Sequence, residues 1–143
     1  MQCRLCPARW RLLFLLVIVW PPQSILAADD YLSPGLTPQE LQSRLGTPKA
    51  PLVVDLRAPV EFGVAHIPGA INIPVAELEQ RLDEIRGGNG ILIYCINGSR
   101  TRQAEPILYA HNFDNLYHLE GAFYSWIKGK HPVEKGGIRK SGW

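Results

Sequence analysis

Ile91-Leu92-Ile93-Tyr94-Cys95-Ile96-Asn97-Gly98-Ser99-Arg100 is the stretch whose reading decides the fold. Its first four residues are apolar without alternation, as in a central parallel strand covered on both faces. Gly87-Gly88-Asn89-Gly90 precedes it as a turn. Cys95 ends the strand, a short polar loop follows, and Arg100 stands where the next helix should begin. Ligands of open α/β sheets bind beyond the carboxyl ends of the strands, which is where Cys95 falls. Gly98 lets the backbone turn inward without a Cβ clash. Successive N–H groups of Ile96, Asn97, Gly98 and Ser99 can then face one centre, and a helix N-terminus adds positive potential there. A thiolate in such a cradle has its pKa lowered below about 8.5. Arg100 offers a planar fork of donors to an oxyanion. The plainer alternative for a lone cysteine is a small buried core residue.

Strand and helix signals alternate outward from this segment. Thr37-Pro38-Gln39-Glu40 has the cap, the first-turn proline and the acid of a capping box. Pro51-Leu52-Val53-Val54-Asp55 and Ala70-Ile71-Asn72-Ile73 are short apolar strands. Apolar residues at 75, 78, 82 and 85 predict a helix over 75–85. A helix over 101–111, a strand at 115–118 and a last helix at 121–128 complete the chain. The order α, β, β, α, β, α, β, α predicts one α/β domain, a mostly parallel central sheet with helices on both faces.

The 143 residues suffice for a single domain, and 46% hydrophobic with 20% charged residues is an ordinary globular composition. The first 27 residues hold three arginines and no acid, so the body carries 12 basic against 13 acidic residues. A near-neutral body argues against electrostatic binding of nucleic acid or anionic membrane. Arg4, Arg9 and Arg11 precede the unbroken apolar run Leu12 to Trp20, and Ser24 to Ala28 brings small residues before Asp29. That is the order of a secretory signal peptide over residues 1–28, cleaved near Ala27 or Ala28, leaving a domain over 29–143 that is periplasmic or secreted. Nine apolar residues are too few to span a bilayer, which takes about 20, so no stable membrane insertion is expected after cleavage. Cleavage also removes Cys3 and Cys6 and leaves Cys95 as the one cysteine.

Four segments resemble the single-domain rhodanese (thiosulfate sulfurtransferase) family, of the exported bacterial type. These are Val53 to Arg57, with its aspartate–x–arginine pattern; Glu61-Phe62 with Ala65 to Pro74; Tyr94 to Arg100; and Leu119 to Trp126. The resemblance covers about residues 36–133, with a basic tail after it. It implies a rhodanese-like domain that moves sulfane sulfur from thiosulfate or a similar donor to cyanide or a thiol through a Cys95 persulfide. Arg100 would hold the donor's oxygens. A sulfur-relay protein is a possible partner, and an exported sulfur-carrier or partner-binding module with little turnover is the alternative. The four residues between Cys95 and Arg100 are one fewer than in cysteine phosphatases of similar architecture, which argues against phosphoryl transfer. Asp55, Arg57, Glu61, His66 and Thr101 are read as supporting residues, the Asp55 and Arg57 charges mainly as an ion pair bracing the loop and His66 as a loop anchor rather than a base. No cofactor is implied, and the histidines lack ligand-like pairing, so no metal is expected. Pro106 stands apart. It must either kink a helix that begins near Arg100 or delay that helix to near Glu105.

N-terminal sequencing of the exported protein should find a first residue between Ala28 and Asp30. A chain that still begins at Met1 in the membrane fraction would refute the cleavage.

Overall fold

The computed structural model describes residues 31–136; the signal-peptide reading of 1–28 and the tail residues Arg139 and Lys140 lie outside the described residues. Five strands make the sheet: β1 (Gly35–Leu36), β2 (Leu52–Asp55), β3 (Ile71–Asn72), β4 (Ile91–Tyr94) and β5 (Leu116–Leu119). Their order across the sheet is β1-β5-β4-β2-β3, and every pairing between strands is parallel. β4 is central, and all four of its residues are buried.

The unalternating run of β4 feeds two cores. Ile91 and Ile93 face Val54, Ile73, Leu78, Leu108 and Leu116 on one side, and Cys95 continues their parity into the same core. Leu92 and Tyr94 face Val53, Phe62, Ile67, Phe123 and Trp126 on the other. Helix α3 (Ser99–Ala110) covers the first face, while α1 (Pro38–Arg44), α2 (Pro59–Val64) and α4 (Ala122–Lys128) cover the second. Chain order reverses between β4 and β2, so the carboxyl ends of these two neighbours open onto the crevice where such sheets bind ligands.

Local signals act as their chemistry requires in α1. The Thr37 side chain accepts from Glu40 N, and the Glu40 carboxylate accepts from Thr37 N at 3.0 Å. The segment 75–85 differs from expectation. It forms two 3₁₀ turns, Val75–Gln80 and Leu82–Ile85, separated at Arg81. The apolar pairs 75/78 and 82/85 are each three apart, the period of a 3₁₀ turn. The four-residue step between them spans the break, where the Arg81 guanidinium bonds Glu77, Glu84 and the Asn72 carbonyl.

Pro106 does not delay α3, which begins at Ser99 and runs for 12 residues. The proline sits on the exposed face, where water can serve the Arg102 carbonyl that Pro106 cannot.

Ile93 is fully buried at the centre of the first core. Ile93→Ala should therefore cost about 2–5 kcal/mol by denaturant unfolding. A loss below about 1 kcal/mol would mean that β4 is not the central strand.

Candidate active site

The thiol of Cys95 lies where β4 passes into α3. Strand parity turns it toward the α3 face, and Gly98, at φ +89°, folds the loop back over it. The Gly98 N–H donates to Cys95 Sγ at 3.1 Å, and the Thr101 hydroxyl lies 3.6 Å from the same sulfur. Burial pushes the thiol's pKa up. The Thr101 hydroxyl and the backbone N–H groups of Thr101, Asn97 and Arg100 outweigh it and hold the pKa below the usual cysteine value. Neutral dipoles aimed at one point therefore favour the thiolate, and the first turn of α3 supplies several of them.

The rest of the loop is tied down residue by residue. The Asn97 carboxamide accepts from Ser99 N at 3.2 Å and from the Ser99 hydroxyl at 2.9 Å. Ile96 remains partly exposed. From the second core, Phe123 N donates to Cys95 O at 2.9 Å and Tyr124 N to Ile96 O at 3.3 Å. On the other flank Arg100 reaches α2, where its two terminal nitrogens meet both Glu61 oxygens at 2.8 and 3.1 Å. The Arg100 guanidinium lowers the Glu61 pKa. Glu61 also accepts from Ala58 N, which starts α2.

Asp55 and Arg57 form a buried ion pair behind the loop, 2.6 Å between Arg57 Nη2 and Asp55 Oδ2. Arg57 also donates to Ala65 O and lies 4.1 Å from the Phe123 ring centre. His66 Nδ1 bonds Phe62 O at 2.9 Å, its ring stacks on Phe62, and Nε2 faces Glu134 at 3.5 Å. It is thereby an anchor between α2 and the segment after α4, with no bond to Cys95. Among the described residues, no three His, Cys, Asp or Glu side chains converge as a metal site would require.

Residues 37–129 match the Rhodanese-like domain family. The chain belongs to that family. It is 40% identical to the uncharacterized protein YqhL of Bacillus subtilis over 94 residues, covering 64% of this chain and 74% of that one. It is 30% identical to a sulfurtransferase of Allochromatium vinosum over 95 residues, covering 66% of this chain and 89% of the relative. A rhodanese-related protein from Thermoplasma volcanium superposes with a TM-score of 0.63 at 28% identity, over 71% of this chain and 97% of that structure.

Two contributors to this rhodanese-like site escaped the sequence reading. Tyr94 faces the second core, and its hydroxyl accepts from Ile67 N at 3.2 Å, fixing the segment after His66. Tyr31 lies against the loop, so that a Cβ at Gly98 would overlap its hydroxyl. No motif marks Tyr31; the strictness of Gly98 was the available signal, and it pointed only to a turn.

Alkylation of Cys95 by iodoacetamide should titrate with a midpoint below the roughly 8.5 of a free thiol. Burial slows the reaction at every pH, but the midpoint still follows the thiolate fraction. A midpoint at or above about 8.5 would refute the cradle.

Proposed function

We propose that the chain is an exported sulfurtransferase that carries sulfane sulfur on Cys95, with thiosulfate or a similar anion as donor. The observation that carries this reading is the convergence of loop N–H groups and the Thr101 hydroxyl on one buried thiol with a lowered pKa. Membership of the rhodanese-like family and the similarity to a sulfurtransferase support it. The apolar run at the N-terminus supports export.

The Cys95 thiolate attacks the outer sulfur of thiosulfate. The new S–S bond forms as the old one breaks, and sulfite leaves with the electron pair. Loop N–H groups hold the anionic persulfide. Cyanide or a thiolate then attacks the outer sulfur, and Cys95 departs as the thiolate it was. This is covalent catalysis with ping-pong kinetics. Arg100 holds the donor's oxygens with the N–H groups that Glu61 leaves unused.

The mature protein treated with thiosulfate should gain one sulfur atom by intact mass, and cyanide should remove it. Cys95→Ser should bind no sulfur and transfer none while keeping its unfolding midpoint, because a hydroxyl is close in size but cannot form the persulfide. Undiminished thiosulfate:cyanide turnover in folded Cys95→Ser would sink the assignment.

A further inference from the structure

Beside the active loop lies a cavity of about 730 Å³. Asn97 of the loop forms one wall, and Tyr31, His118, Glu120 and Tyr124 form most of the rest. Thiosulfate is far smaller than this space, and its partners by the reading above are the loop N–H groups and Arg100. Among the described residues, the cavity's lining includes one carboxylate, that of Glu120, and no lysine or arginine.

The walls are built. The segment after the signal-peptide reading is latched by the buried Glu105 carboxylate, which accepts from Leu32 N at 2.9 Å, Ser33 N at 3.1 Å and the Ser33 hydroxyl. That latch sets Tyr31 flat on His118, ring centres 3.8 Å apart, with the Arg102 guanidinium 5.4 Å from the tyrosine ring. Tyr31 is thus committed to the His118 ring and the Arg102 guanidinium, with its hydroxyl against Gly98. Tyr124 differs: the residue is 65% exposed, and its own backbone N–H is bonded to the loop at Ile96. Glu120 has room because Gly35 lacks a side chain; a Cβ there would come within 2.6 Å of Glu120 Cγ. An exposed aromatic ring and a carboxylate without an ion-pair partner among the described residues, lining one cavity, make the chemistry that receives an ammonium group.

We propose that this cavity seats the body of the sulfur acceptor, and that the acceptor is a small thiol bearing an ammonium group. The proposal rests on the sulfurtransferase reading of Cys95. The acceptor's thiolate attacks the outer sulfur of the Cys95 persulfide, the Cys95–sulfur bond breaks with its electron pair going to Cys95, and the product is the acceptor's own persulfide. No oxidant or reductant is consumed. Glu120 and Tyr124 hold the ammonium, and Asn97, two residues after Cys95, ties the cavity to the active loop. Donor and acceptor thereby approach one sulfur from sites of opposite electrostatic character.

The test uses the mature protein with thiosulfate as donor and four acceptors: cysteamine, 2-mercaptoethanol, 3-mercaptopropionate and cyanide. With rates expressed per thiolate, kcat/KM for cysteamine should exceed that for 2-mercaptoethanol by about fivefold, with 3-mercaptopropionate lowest. Glu120→Gln should collapse the order among the three thiols, and Tyr124→Leu should lower the cysteamine-to-cyanide ratio severalfold. Glu120→Lys should raise 3-mercaptopropionate above cysteamine. Equal use of the three thiols, or a preference untouched by Glu120→Gln, would overturn the acceptor site while added sulfur on Cys95 and cyanide turnover left the sulfurtransferase reading standing. Absence of added sulfur after thiosulfate would overturn both.

Discussion

The Arg57 guanidinium is almost wholly removed from water, and the ends of β2 and β4 are organised around keeping it neutralised. Asp55 takes its charge, the Ala65 carbonyl takes a further N–H, and the Phe123 ring lies against its face. Asn72 then bonds the carbonyls of both Asp55 and Arg57, drawing β3 to the same point. A buried pair of this kind contributes little net stability, because desolvating both ions offsets most of their attraction. Removing one partner is another matter, since it strands a charge and costs about 3–5 kcal/mol. The pair therefore acts mainly as a specification of geometry. It fixes where the 65–74 segment and α4 stand relative to β2, and α4 in turn holds the Cys95 carbonyl through Phe123 N.

What this frame presents is a sulfur whose charge is met by dipoles more than by a cation. Arg100 is the nearest arginine in the loop, and Glu61 takes two of its N–H groups and compensates its charge. The stabilisation left for the thiolate comes from N–H and O–H groups that are already oriented when the chain has folded, and so need no reorganisation as charge moves. A loop this short closes on a single atom: the Gly98 N–H reaches back to Cys95 Sγ across three residues. That suits one sulfur carried on another better than a phosphoryl group with three oxygens.

The sheet was legible because β4 is buried on both sides and its sequence must be apolar throughout. The loop was legible because a cysteine, a glycine and an arginine at that spacing can do few things after a strand. What sequence hid has physical reasons. β1 is two residues long and is held by its pairing with β5 rather than by any run of its own. α2 is six residues long and its cap, Ala58, has no side-chain acceptor to offer, although Pro59 and Glu61 in the first turn were signals that could have found it. Residues 75–85 carry a spacing that helix and 3₁₀ turns share, and it does not mark the break at Arg81 that separates the two turns. Pro106 looked like a threat to α3 because propensity penalises it; its exposed position is what makes it tolerable, and exposure is a tertiary fact. The Glu105 latch joins residues more than 70 positions apart, so nothing local announces it.

The loop is clamped on two flanks by different elements, by α2 through Glu61 and Arg100 and by the start of α4 through Phe123 and Tyr124. Clamping of this kind means that the cost of ordering the cradle is met during folding and not again at each encounter. It also removes the freedom to reshape the cradle for two chemically unlike partners. On the proposed reading, a sulfur that takes from an anion and gives to a thiol can then distinguish them only by what surrounds the rigid loop. The surroundings do differ. One flank is a compensated arginine, and the other is an aromatic-walled cavity with a single carboxylate. On that reading, chemical selectivity is placed outside the cradle, on the short segments that hold it.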